Sequence, residues 1–259
     1  MESVFYIIIL VFGLSIGSFM NAWVWRTREK LGITRARSIC PKCRMQIAWY
    51  DNVPVLSFLI LRGICRKCDE KIDYQYPLIE IWCGAIFLLI ALSANNGNLS
   101  PEINLVIIRD WIIVTLLTFV FLYDLKYREI LNFTTLIPGV ILFLLSLMFG
   151  WSTWGSMLLG AGFGAGFFLF LYIISKGSWI GGGDVRLGFF MGIILGWPNV
   201  LVAFFISYLT GAVVSLLLIA LKKKTIKDET AFGTYLVFGT IMAMFWSDNI
   251  LKWYIGLVV

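Results

Sequence analysis

Apolar residues along this chain gather into long blocks rather than alternating with polar ones. The blocks fall at about 4–25, 77–94, 104–123, 131–150, 155–175, 185–197, 199–221 and 231–247. Several reach or approach the roughly 18 to 20 apolar residues that carry a helix across a bilayer. The sixth is short, and Pro198 divides it from the seventh. The tail "DNILKWYIGLVV" is too short for a ninth span. The first block lacks a basic leader and an A-x-A-like cleavage site, so it reads as a span rather than a signal peptide. The pattern predicts an all-α polytopic membrane protein with about eight transmembrane helices. Composition agrees: 60% of residues are hydrophobic and 14% charged, against about half and a quarter in soluble domains.

The basic residues are unevenly placed. Segment 26–76 holds Arg26, Arg28, Lys30, Arg35, Arg37, Lys42, Arg44, Arg62, Arg66, Lys67 and Lys71. Lys126 and Arg128 follow the third span, Lys176 and Arg186 flank the turn before the sixth, and Lys222, Lys223, Lys224 and Lys227 follow the seventh. The loops at 95–103, 151–154 and 198 have none. Cytoplasmic loops are enriched in Lys and Arg, so eight spans put every basic loop in the cytoplasm and both termini outside. The net charge of +6 then reports membrane topology, and no nucleic-acid partner is expected. Inside "GSMLLGAGFGAGFFLF" (155–170), Gly160 with Gly164 and Gly162 with Gly166 have the small-xxx-small spacing of close helix packing.

Histidine is absent. That excludes Ser-His-Asp and Cys-His catalysis and H-E-x-x-H zinc peptidases. "CPKC" at 40–43 and "CRKC" at 65–68 form two C-x2-C pairs separated by 21 residues. In a reducing cytoplasmic loop this spacing points to a closed, structural zinc site on Cys40, Cys43, Cys65 and Cys68 rather than to disulfides. Its task is to order a loop with too few apolar residues for a core. Cys83, alone in the second span, reads as a small apolar residue.

Acids within membrane spans are expensive and mark function by default. Arg109 and Asp110 read as an interfacial ion pair; Glu80, just inside the second span, does not have so ready an explanation. Asp124 in "LYDLKYREI" and Asp184 in "GGGDVRLG" are expected at one cytoplasmic depth. Two carboxylates sharing one proton can activate water and polarise a carbonyl, which is aspartyl-protease chemistry. Helix dipoles put the charge on Asp184, at a helix start, and the proton on Asp124, at a helix end. Gly181, Gly182 and Gly183 would adopt backbone angles other residues avoid and leave backbone room for an extended substrate. A transporter or proton relay using the same acids is the competing class.

These motifs together resemble the type IV prepilin peptidases, bifunctional leader peptidases and N-methyltransferases. The resemblance rests on "GLSIGSFMNAWVWR" at 13–26, the cysteine pairs bracketing "YDNVPVLSFLILRG", "YPLIE" at 76–80, "DLKYREI" at 124–130 and "GGGDVRLG" at 181–188. It departs from the family pattern at "TAFGT" (230–234), where Ala231 and Thr234 stand for the prolines of I-P-F-G-P. The resemblance implies a bacterial cytoplasmic-membrane enzyme acting on prepilin or pseudopilin leader peptides. It would cut them after a glycine and methylate the new N-terminus with S-adenosylmethionine. It implies Asp124 and Asp184 as the catalytic acids, the four cysteines as zinc ligands and Gly17, Asn21 and Arg26 as motif positions. Glu80 and Arg26 become candidates for placing the amine and the cofactor carboxylate. The implied organisation is a first transmembrane helix at 1–25, a zinc-binding loop at 26–76 and a transmembrane peptidase core at 77–259. A peptidase without methyl transfer is the alternative within the family.

Overall fold

A computed structural model describes residues 2–32, 37–94, 101–223, 225 and 230–258. Arg35, Lys224, Lys227 and the 95–100 part of the 95–103 loop lie outside these. The described residues are helical, without a β-strand: α1 (Glu2–Arg28), α2 (Leu56–Ile60), α3 (Gln75–Ala94), α4 (Pro101–Tyr127), α5 (Asn132–Phe149), α6 (Trp154–Ser175), α7 (Gly182–Leu195), α8 (Asn199–Ala220) and α9 (Phe232–Val258). All eight expected spans fall on helices, but six rather than eight are long and apolar enough to cross a membrane: α1, α3, α4, α5, α6 and α8. The 14 residues of α7 give about 21 Å, short of the roughly 30 Å hydrocarbon core. In α9 the polar run Ser247, Asp248, Asn249 interrupts the apolar stretch. The chain is an integral membrane protein.

Two compact units divide the chain, Met1–Thr115 and Leu116–Val259. In the first, α1 and α3 pack antiparallel along a seam that needs small residues. A Cβ on Gly13 would lie 2.7 Å from the Cys83 carbonyl, and one on Gly17 would lie 2.6 Å from the Glu80 Cα. One turn further, the Asn21 side-chain amide donates to the Tyr76 carbonyl at 3.2 Å. Positions 13, 17 and 21 thus form one stripe of α1, spaced by four as a helix face requires.

The second unit is built around a tighter seam between α6 and α7. Cβ atoms on Gly164 and Gly160 would fall 2.2 Å from the Gly188 carbonyl oxygen and 2.6 Å from that of Gly192. Gly160 and Gly164 therefore pack as their spacing predicts. Gly162 and Gly166 do not: neither has anything within 4 Å of a Cβ. Only one of the two overlapping glycine stripes can face α7. Between α8 and α9, Gly239 similarly admits Ser207, whose hydroxyl would lie in the space of a Cβ.

This asymmetry is testable. Overpacking costs about 1–3 kcal/mol where neighbours can yield, and at Gly192 the obstacle is backbone. Gly192→Val should lower the thermal unfolding midpoint of detergent-solubilised protein sharply. Gly162→Val, on the open face of α6, should leave it nearly unchanged.

Candidate active site and metal centre

Asp124 lies in the last turn of α4 and is buried. It faces the start of another helix: the Thr234 amide donates to its Oδ2 at 3.1 Å, and the Gly233 amide also donates to the carboxylate. These are first-turn amides of α9, which have no partner within their own helix and carry the positive end of its dipole. A Cβ at position 233 would lie 2.7 Å from Asp124 Oδ2, so the approach depends on glycine there. From sequence, Thr234 is notable only for standing in place of a family proline, and Gly233 is not singled out. The "AFG" segment was visible, but its use as an amide donor depends on where α9 begins.

Asp184 is the third residue of α7 and is also buried. Its Oδ2 accepts the Gly181 amide at 3.2 Å, closing the first turn as an N-terminal cap. The three glycines differ in what they do. Gly181 is the extended N-cap with φ −77°, and Gly182 and Gly183 open the helix; none has a positive φ. The expectation that all three supply unusual backbone angles is therefore not met. What requires glycine is packing at Gly183, where a Cβ would lie 2.9 Å from the Ile130 Cβ.

Ile130 joins the two acid-bearing segments, since its Cδ1 would also meet a Cβ on Gly233 at 2.9 Å. Asp124 and Asp184 are close enough for their charges to repel. The end of α4 and the starts of α7 and α9 thus converge, and the two acids share one level. The dipole argument for placing the proton on Asp124 loses its premise, because that acid also faces a helix N-terminus.

Neighbouring side chains complete the surroundings. The charge of Arg128 acts on Asp124. Arg186 Nε donates to the Gly182 carbonyl at 2.9 Å, and its guanidinium also holds the Asn132 side chain at the start of α5. Tyr208, in α8, is within electrostatic reach of Asp184, and its ring packs 5.1 Å from that of Phe232. Sequence gave no signal for Tyr208.

The other candidates lie in the first unit. Arg109 and Asp110 form the expected ion pair, Nε to Oδ1 at 2.8 Å. The buried Asn21 accepts the Gln75 side-chain amide at 3.1 Å and donates to Gly17 and Tyr76. Arg26 donates to the Arg37 carbonyl at 3.1 Å. Glu80 Oε2 accepts the Val55 amide at 2.7 Å, and the Ser18 hydroxyl donates to the same carboxylate. That bond pins a strained turn: Val55 has φ 62° and ψ −50°, and the Leu56 amide donates back to the Pro54 carbonyl at 2.6 Å. This is the rare form of γ-turn, in a β-branched residue that avoids positive φ. The polar groups of Asn21, Arg26 and Glu80 are thus bonded to other parts of the chain.

The four cysteines Cys40, Cys43, Cys65 and Cys68 meet, with all sulfurs within 4.8 Å of one another. Two matching turns present them. Ile39 bridges Gln46 in the first and Ile64 bridges Lys71 in the second; in each, the leading cysteine carbonyl accepts an amide four residues on, at 2.9 Å. The Lys67 amide helps lower the Cys65 thiol to about 7. At Cys68 the Glu70 amide pulls downward, but burial and the neighbouring thiols outweigh it and push the group up to about 12. Such a cluster resists holding four thiolates unless a cation shares them. Between residues 37 and 74 only Cys40 and Ser57 are buried, so the loop has no apolar core to hold it.

Residues 11–94 match the bacterial peptidase A24 N-terminal domain, and residues 111–216 match the type IV leader peptidase family. A prepilin leader peptidase/N-methyltransferase of Legionella pneumophila is 26% identical over 97% of this chain and 94% of its own length. One from Bacillus subtilis strain 168 is 28% identical over 97% and 98%. A Vibrio cholerae protein of the same name is 44% identical over a shorter stretch, 31% of this chain and 35% of the relative. No solved structure matches the chain. With both matched segments in order and the likeness running nearly end to end, the chain belongs to the type IV leader peptidase family.

Proposed function

We propose that this protein cleaves the leader peptides of prepilins or pseudopilins with Asp124 and Asp184, and then N-methylates the new terminus. The observation that carries the peptidase reading is the meeting of two buried carboxylates at one end of the second unit, each supplied with helix N-terminal amides. One carboxylate takes a proton from water as the oxygen attacks the scissile carbonyl. The other holds a proton toward the carbonyl oxygen, then passes it to the leaving nitrogen. The fixed amides keep both acids oriented without mobile solvent.

The basic loops favour a cytoplasmic-membrane protein with this end facing the cytoplasm, which is where a basic leader would be met. Methyl transfer rests on the relatives' names, which pair leader peptidase with N-methyltransferase. S-adenosylmethionine is the methyl donor we assign. The residues proposed from motif positions are engaged internally, so no transfer step is derived from them. For the metal, four thiols at this spacing fit zinc, whose Zn–S bonds of about 2.3 Å place sulfurs roughly 3.8 Å apart in a tetrahedron. Zinc there would be structural, joining the two cysteine turns of the 26–76 loop.

Asp124→Asn and Asp184→Asn should each keep the fold and reduce prepilin cleavage by more than about 10³-fold, the scale of losing a group that acts in the chemical step. Intact-mass analysis with a prepilin peptide reads this directly, and wild-type cleavage by either variant would end the two-acid mechanism. Gly233→Ala should lower the cleavage rate with little change in substrate affinity, because the new methyl displaces Asp124 rather than blocking entry. Steady-state kinetics separate the two effects. Cys40→Ser with Cys65→Ser should abolish stoichiometric zinc by elemental analysis and expose the loop to limited proteolysis.

A further inference from the structure

The outward side of α2 is entirely apolar, on a loop otherwise rich in charge. Leu56, Leu59 and Ile60 are exposed, Leu59 by 64% and Ile60 by 73%, and their spacing of three and four residues sets them on one face. The inner side is occupied: Ser57 accepts the Val53 amide at 2.9 Å and donates to the Tyr50 carbonyl at 3.0 Å, while the Phe58 ring packs on Tyr74. The Ser57 bonds also fix the preceding turn, Trp49–Asn52, on which Trp49 is 83% exposed. Contiguous exposed apolar surface of this kind marks a site of interaction.

Depth identifies what it meets. The residue before α2, Val55, is hydrogen-bonded to Glu80, the sixth residue of α3. The 20 residues of α3 span about 30 Å, just the hydrocarbon thickness. Glu80 therefore lies roughly 7–8 Å inside the helix end. Leu78 and Ile81, beside it on α3, are exposed apolar residues, as expected of a lipid-facing surface. A loop element tied to this level sits at bilayer depth rather than in the aqueous phase. Two residues past the end of α2 comes Arg62, exposed and without an ion-pair partner among the described residues.

We propose that α2 and the turn before it form a membrane-interface element. Leu56, Leu59, Ile60 and Trp49 enter the boundary between headgroups and acyl chains, and Arg62 engages anionic headgroups. Short apolar faces flanked by cations bind bilayers in this way. The buried Glu80 is then the anchor that sets the depth of the element, holding Val55 in a turn it would otherwise leave.

The test uses the full chain reconstituted in phosphatidylethanolamine–phosphatidylglycerol vesicles, with p-benzoylphenylalanine in place of Leu59 or, separately, Ile60. Lys67 and Gln46, exposed elsewhere on the same loop, serve as control positions. After irradiation, intact mass should show lipid adducts at 59 and 60 several-fold above those at 46 and 67. Arg62→Gln should then lower the phosphatidylglycerol share of the adducts by about five-fold. Equal labelling at all four positions would overturn the proposal, as would cross-links at 59 and 60 to a second copy of the chain or to added prepilin peptide. An unchanged phosphatidylglycerol share would overturn the role of Arg62.

Discussion

Backbone amides at helix N-termini are what allow this protein to keep two acids buried at the end of a membrane bundle. A carboxylate removed from water must be given hydrogen-bond donors, and side-chain donors would need their own support. Asp184 uses the amide of its own N-cap. Asp124, at the wrong end of its helix for such help, reaches the first turn of α9. That requirement fixes much of the second unit. The end of α4 must meet the start of α9, position 233 must be glycine for the meeting to occur, and Ile130 fills the space between that contact and the start of α7.

The glycine seam between α6 and α7 belongs to the same arrangement. Without a hydrophobic driving force between helices in lipid, close backbone contact is a main source of association. Gly160 and Gly164 lock α7 lengthwise against α6, and the short α7 therefore presents Asp184 at a fixed height. In the first unit a comparable seam has another use. The stripe of Gly13, Gly17 and Asn21 brings α1 against α3, so that Ser18 and Val55 can both serve the buried Glu80. Here the acid accepts bonds that shape a loop, rather than standing ready for chemistry.

The sequence displayed the large features because each obeys a local rule. Apolar blocks marked the helices to within a few residues, and the paired C-x2-C spacing marked four sulfurs that do meet. Asp124 and Asp184 stood out as acids in apolar surroundings, and the loop charges placed them at one level. What was not legible depends on contacts between distant segments. Nothing local distinguishes Gly160 and Gly164 from Gly162 and Gly166; only the position of α7 does. Thr234 contributes through its N–H, which no side-chain pattern reports. The glycines of "GGGD" suggested unusual backbone angles, whereas the need at Gly183 is for space beside Ile130. Among the described residues six helices rather than eight can cross a membrane, because α7 is too short and Ser247, Asp248 and Asn249 interrupt the apolar stretch of α9.

The two cysteine turns are copies of one small structure, with bridges, hydrogen bonds and sulfurs at equivalent positions. A metal shared by their four sulfurs, as proposed, would make the chain between them a closed loop with both feet fixed. Lengthening such a loop costs little, about 0.6 kcal/mol for each doubling. Such a clasp would hold both ends of the stretch from Ile47 to Gly63, while the Val55 amide on Glu80 ties its middle to α3.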